Sequence, residues 1–392
     1  MSPFRIVIVG GGIAGFAAAI ALRGPNRQII VLEQSRLNKE IGALISLQPN
    51  ASRIFQSSWG VDLSRARAMV DEGFRIYNTD GYLVNTVPLL SRTEYEADRL
   101  VFHRRDLHDL LRHEALSSSP IRAGEPVEVR TASRVASCDP VQGTVTLEGG
   151  ETVTGDLIVG ADGIHSVLRK HVLQEEPLAK PTGHSEMIPT EVLESHEPEF
   201  CSKINPREPF TSMMVAHDCR LVMGPGRQRE VYGIVALVPD EQLNEDPNAK
   251  QSWVSEGHLD KMLEAFAEYP PWDPLRTWHR GRVILIGDAA HAMLPTQGQG
   301  ASQAIEDAEA LGAFFEGVDD APLELMDSIL EDIFQARHSR VSLIQAYSRQ
   351  AAKPATAKGD KTVTMTPEEF MDFNCMYRGA KAWKGRMISL SA

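Results

Sequence analysis

The chain has 392 residues, 42% of them hydrophobic, and a formal net charge of −13. That length suits two domains, or one large domain with an insertion, and the acidic balance argues against nucleic acid or an anionic membrane as main partner. Four cysteines (Cys138, Cys201, Cys219 and Cys375) show no CxxC spacing, which disfavours a metal site or redox dithiol and suits a reducing, cytoplasmic compartment.

The first strand pattern begins at Phe4, leaving no room for a signal peptide, and no apolar run is long enough to span a bilayer. FRIVIV (4–9) reads as a buried strand, followed by Gly10-Gly11-Gly12-Ile13-Ala14-Gly15 and the helix FAAAIALR. This is GxGxxG at Gly10, Gly12 and Gly15: the first glycine allows a tight turn, the second lets backbone approach a pyrophosphate, and the third permits close helix–strand packing. A second strand, Gln28 to Leu32, ends in Glu33, where an acid would meet the adenosine ribose hydroxyls. These features predict dinucleotide binding and do not separate FAD from NAD.

Residues 40–55 read as a glycine-containing loop leading into a helix that Asn50 could cap. FRIYNTDGYLVNTV (74–87) alternates around Asp80-Gly81, a favoured two-residue turn. HRRDLHDLLRHEAL (103–116) predicts an amphipathic helix with Leu107, Leu110, Leu111 and Ala115 inward. Arg104 and Arg105 stand at its start, where the dipole disfavours cations; a bound anion explains one of them, and a solvated ion pair suits the other. Short strands follow, with turns at Asp139-Pro140 and Gly149-Gly150. GDLIVGADGIHSVLRK (155–170) then gives a further strand, Asp162-Gly163 and a helix start.

Residues 176–275 change character, with prolines and alternating apolar runs that suggest an antiparallel sheet. We expect a doubly wound α/β dinucleotide domain in three pieces (1–73, 101–175 and 276–351), with a mainly antiparallel substrate domain inserted as 74–100 and 176–275. In RVILIGDAAHAMLPTQGQGASQAIEDAEAL (282–311), a buried strand delivers Asp288 to the mouth of a sheet, where doubly wound folds bind ligands. A loop with Pro295, Gly298 and Gly300 opens a helix whose Ala301, Ala304, Ala308 and Leu311 share a face. Its free N–H groups and dipole suit the negative edge of a reduced flavin, and Asp288 could accept from a ribityl hydroxyl. The plain alternative is an N-capping carboxylate. Leu323–Ala351 reads as helix, 352–364 as linker and 365–392 as a tail with Trp383.

GGGIAG…E, ADGIHS and GDAAH, in that order, resemble the class A FAD-dependent aromatic monooxygenases, in particular fungal salicylate hydroxylase-like proteins. The resemblance covers nearly the whole chain. It implies that Glu33 holds the adenosine ribose, Ala43 lies beside the flavin, and Arg104 contacts the ribityl–pyrophosphate portion. Asp162 would serve both FAD and the pyridine nucleotide, Asp288 the ribityl chain, and Gly300 with Ala301 the pyrimidine ring. The implied chemistry is reduction of FAD by NAD(P)H, reaction with molecular oxygen to a C4a-hydroperoxide, and hydroxylation or epoxidation of an aromatic or polyketide/terpenoid-like small molecule. Tyr232 and His217 are candidates for a base acting on a phenolic substrate, with strand packing and a surface turn as their plain alternatives. His291 reads as structural, and Pro295 as lining the flavin edge.

Three departures from the family stand out. Leu44 occupies a position usually held by glycine, Ser185 (HSEMIP) one often held by arginine, and PPWDPLRTW (270–278), around Trp272, is shortened. They keep open a flavin reductase without oxygen insertion, or a redox-silent flavin-binding paralogue.

Overall fold

A computed structural model describes residues 2–36, 43–89, 91–118, 124–175, 184–215, 220–237, 274–352 and 363–384. Its strands are β1 (Phe4–Val9), β2 (Arg27–Leu32), β3 (Leu44–Leu47), β4 (Met69–Val70), β5 (Gly73–Tyr77), β6 (Leu83–Pro88), β7 (Leu100–His103), β8 (Glu128–Arg130) and β9 (Val135–Asp139). They continue as β10 (Thr144–Leu147), β11 (Thr152–Thr154), β12 (Leu157–Gly160), β13 (His184–Pro189), β14 (Phe210–Val215), β15 (Arg220–Gly226), β16 (Val231–Leu237), β17 (His279–Arg280) and β18 (Val283–Leu285).

The first sheet runs β17-β18-β12-β1-β2-β8. All its pairs are parallel except β17 with β18. The apolar runs of β1, β12 and β18 sit in this sheet because both faces are covered, one by the helices Ile13–Leu22 and Gly300–Phe314 and the other by the helix Val167–Leu173 with the small sheet β11-β10-β9, leaving no polar side to alternate with. The helix Ile13–Leu22 packs on it through Phe16, Ala17 and Ile20, and Gly312 of the helix Gly300–Phe314 crosses close by: a Cβ there would lie 2.9 Å from the Ala21 carbonyl oxygen.

A second sheet runs β13-β16-β15-β14-β5-β6 and is antiparallel except for the parallel pair β14–β5. The chain is thus a Rossmann-like α/β domain carrying a mainly antiparallel sheet, and a further small sheet runs β3-β7-β4. The helix Leu323–Ala352 follows, and the tail returns through Pro367–Cys375, opened by a Thr366–Glu369 capping box. Trp383 packs against Phe314.

Two local expectations need correction. The β5–β6 tip is not a two-residue turn but the loop 78–82, in which the Asn78 carboxamide oxygen accepts from the Asp80 and Tyr82 N–H groups. Asn50 does not cap its helix; Gln48 is at the cap, and buried Asn50 donates to Glu306 Oε1 at 2.5 Å. A buried carboxylate gains more from a direct amide donor than a short helix gains from a cap.

Candidate active site

At the first βα turn, Gly10 has φ +103°, and a Cβ there would lie 2.3 Å from the Ala161 carbonyl oxygen. A Cβ on Gly15 would lie 1.9 Å from the Gly10 carbonyl oxygen. Both glycines are required by packing. Gly12 is different: a Cβ would meet nothing within 4 Å, so the backbone faces open space at a helix start that has no side-chain cap. Glu33, at the tip of β2, accepts from the Gly11 N–H at 2.8 Å and the Ser35 N–H at 2.7 Å. His108 Nε2, on the neighbouring helix, lies 2.7 Å from the Gly11 carbonyl oxygen.

The two other glycine–carboxylate loops meet beside this turn. Gly287 (φ +57°) sits where a Cβ would be 3.0 Å from Ala14 Cβ and 3.4 Å from Ala304 Cβ. Its N–H donates to Asp307 Oδ2 at 2.9 Å, and His291 Nε2 lies 2.6 Å from the same oxygen. His291 is buried under Trp278, so its side chain holds the turn. Asp288 is solvent-exposed at this turn, although the protein packed around it still desolvates its carboxyl. Burial pushes its pKa up, opposed by the charges of His291, Arg169 and Arg104. It makes no side-chain cap.

Ser166 caps the helix Val167–Leu173, its hydroxyl accepting from the Arg169 N–H at 3.0 Å, and Asp162 supports this cap. It accepts from the Ser166 hydroxyl at 2.6 Å and the Val167 N–H at 2.8 Å. Burial raises its pKa and these hydrogen bonds lower it, the balance lying above the ordinary value.

Arg169 joins the two loops, and sequence reasoning missed it. Its guanidinium donates to the carbonyls of Ala289 (2.7 Å), Asp288 (2.7 Å) and Ile164 (3.0 Å). Burial lowers its pKa to about 10, with Asp162 and Asp288 opposing. Its signal is an arginine following the apolar pair Val167-Leu168 at a helix start, seven residues after Asp162. Glu306 was missed too: beneath the site it takes Arg337 and Arg340 (2.8 Å from Nε) as buried partners.

Arg104 opens the helix Arg104–Leu116; its N–H donates to the Ala43 carbonyl at 2.8 Å and its charge reaches Asp288. Arg105 is exposed, with Asp109 at 3.6 Å. Gly300 and Ala301 begin a helix without a side-chain cap, and a Cβ on Gly300 would meet open space. Pro295 is exposed in a short 3-10 turn, where its carbonyl accepts from Gly298 N–H at 3.0 Å.

The structure does not bring Tyr232 to this cleft. Gly226 and Gly233 face Leu44, since a Cβ on either would lie 2.3 Å and 2.6 Å from its side chain. Alternation along β16 turns Tyr232 to the other face, where it is 1% exposed among Tyr77, Leu193, Ile204 and Met223. Its hydroxyl lies near Ser212 without a hydrogen bond of normal geometry, and burial pushes its pKa up. The strand-packing alternative fits this placement; a catalytic base does not. Leu44 likewise turns into the hollow of Gly226 and Gly233 on the antiparallel sheet. His217 and Trp272 lie outside the described residues.

These features fit FAD: open backbone at Gly12 and Gly300, two uncapped helix starts, an acid at the tip of β2 and an exposed carboxylate at Asp288. The family model for the FAD binding domain matches residues 4–329. Hispidin-3-hydroxylase of Neonothopanus nambi is 29% identical, over 88% of this chain and 88% of that protein. 3-Hydroxybenzoate 6-hydroxylase 1 of Aquipseudomonas alcaligenes is 30% identical, over 95% and 97%. The solved salicylate hydroxylase substrate complex superposes with a TM-score of 0.70 at 25% identity, over 90% of this chain and 88% of that one. The chain belongs to the FAD-binding-domain family and is an FAD-dependent monooxygenase with FAD and NAD(P)H as its cofactors.

Proposed function

We propose that the protein uses NAD(P)H and molecular oxygen to hydroxylate or epoxidise an aromatic or polyketide/terpenoid-like small molecule in the cytoplasm. The observation that carries this reading is the meeting of three glycine–carboxylate loops at one edge of a parallel sheet, opposite an antiparallel sheet. The segments 74–100 and 176–275 form the substrate domain in this reading. When bound, FAD takes a hydride from NAD(P)H and activates oxygen for transfer of one atom to the substrate.

The chain's own residues bind and orient. Gly10, Gly12 and Gly15 admit the pyrophosphate to the Ile13–Leu22 helix start, and Glu33 takes the ribose hydroxyls in exchange for the Gly11 N–H. Arg104 neutralises phosphate charge from beside Ala43. Asp288 accepts from the ribityl chain, and the N–H groups at Gly300 and Ala301 stabilise negative charge on the pyrimidine edge. Asp162 would serve both this cofactor and the pyridine nucleotide. Relatives acting on hispidin and 3-hydroxybenzoate support an aromatic substrate.

The test is the visible spectrum of purified protein before and after anaerobic NADH or NADPH, followed by product analysis in air. We expect a yellow protein that bleaches and then forms an oxygenated product from an accepted substrate. A yellow protein that neither nucleotide bleaches, or one returning only hydrogen peroxide across a phenol panel, overturns the reading.

A further inference from the structure

The antiparallel sheet presents two unlike faces. Tyr77, Leu193, Ile204, Met223 and Tyr232 fill the outer one. The face toward Leu44 follows from Gly226 and Gly233 and from strand register. Gly224 pairs with Gly233, Val222 with Val235 and with Met213, and Met187 with Gly233. Met187, Met213, Val222 and Val235 are all half-buried there.

Three arginines bordering this floor each have a carboxylate within ion-pair distance. Arg99, which lies over the Phe74 ring at 4.5 Å, has Asp71 Oδ2 at 3.2 Å, and the Thr211 hydroxyl donates to that oxygen at 2.6 Å. Arg227 forms a two-pronged pair with Asp106 (2.7 and 2.6 Å), and Arg67 pairs with Glu230. His103, opposite Leu44 in register, has its pKa lowered first by burial and then by Arg227.

Building on the proposed function, we propose that the substrate is an uncharged, largely apolar ring system. It lies on the Met187–Met213–Val222–Val235 floor, with Leu44 closing one end of the site. Two thioethers give the floor a surface that adapts to flat rings. Leu44 fills the glycine hollow, so the ring is displaced along the floor toward the row Val235–Val222–Met213. A carboxylate brought onto this floor would lose its water and have to compete with Asp71, Asp106 and Glu230 for the bordering arginines.

The holoenzyme is titrated with 6-hydroxy-2-naphthoate and with its methyl ester, following the flavin absorbance change. The ester should bind at least about tenfold tighter at pH 7.5, about 1.4 kcal/mol. Naphthoate affinity should rise as pH falls toward its own carboxyl pKa. Met213→Arg, at unchanged flavin content, should shift the preference toward the carboxylate at least about tenfold; the wild-type comparison stands if that variant does not hold flavin. Equal or tighter binding of the naphthoate overturns the proposal, as does failure of both ligands to perturb the flavin at their solubility limits. A yellow protein reduced by NAD(P)H but preferring the naphthoate sinks only this inference. One that neither nucleotide reduces sinks the proposed function beneath it.

Discussion

Gly12 and Gly15 belong to one motif, yet alanine should act oppositely at the two. At Gly15 a methyl group would stand 1.9 Å from the Gly10 carbonyl oxygen, a contact between backbone segments that no rotamer relieves. Overpacking of this kind costs about 3 kcal/mol, and the helix gains about 1 kcal/mol from replacing glycine, leaving a net loss of about 2 kcal/mol. For a domain of this size that lowers Tm by about 4–8 °C in the flavin-free protein. Gly12, in contrast, has φ −82° and ψ −169°, which alanine adopts readily, and its methyl would meet nothing within 4 Å. Gly12→Ala should therefore keep the wild-type Tm without flavin while losing at least about 30-fold in FAD affinity, about 2 kcal/mol. Scanning fluorimetry of both apo variants and FAD titration by fluorescence quenching measure this. Full flavin occupancy in purified Gly12→Ala would show that the pyrophosphate does not pass over Gly12. A wild-type Tm for Gly15→Ala would refute the packing argument.

Asp288→Ala should lower flavin retention at least about tenfold with little loss of stability, and Arg104→Ala should lower it more than Arg105→Ala; flavin-to-protein absorbance ratios decide, and equal losses for the two arginines would undo the choice of Arg104. Tyr232→Phe should leave the yield of oxygenated product per NAD(P)H within about twofold, because removing a buried hydroxyl without a well-formed hydrogen bond costs little; a tenfold fall would restore it as a catalytic candidate. Arg337→Met should destabilise by about 3–5 kcal/mol in urea, since it strands the buried carboxylates of Glu306 and Asp307. Burial raises the Asp307 pKa, but the charges of His291 and Arg337 outweigh it and hold it at about 2 against an ordinary 3.8. A depressed carboxyl stabilises the fold above its unfolded pKa and loses that contribution as pH falls through the folded one. The stability gap between wild type and Asp307→Asn should therefore shrink by on the order of 2 kcal/mol between pH 4 and pH 2; a gap constant over that window would refute it.

The three glycine–carboxylate motifs, the positions of the apolar strands that precede them and the amphipathic helix behind Arg104 were all legible in the sequence. Each depends on neighbours a few residues apart: a glycine required by its own φ or by the next turn, a strand by its run of apolar residues, a helix by its period. What only the tertiary structure decided depends on residues far apart in the chain. Asp307 fixes the Gly287 turn from 20 positions away, and Glu306 takes Asn50 from the helix the asparagine was expected to cap. Arg169 ties its own loop at Gly163 and Ile164 to the Asp288 carbonyl, 119 residues further along the chain. Alternation told that Tyr232 and Gly233 lie on opposite faces of a strand, but which face meets the flavin side was set by packing against Leu44. Leu44 could not be judged as intruder or filler before its glycine hollow was known. A local pattern gives a residue its direction relative to its own backbone, and only the packed fold supplies what stands in that direction.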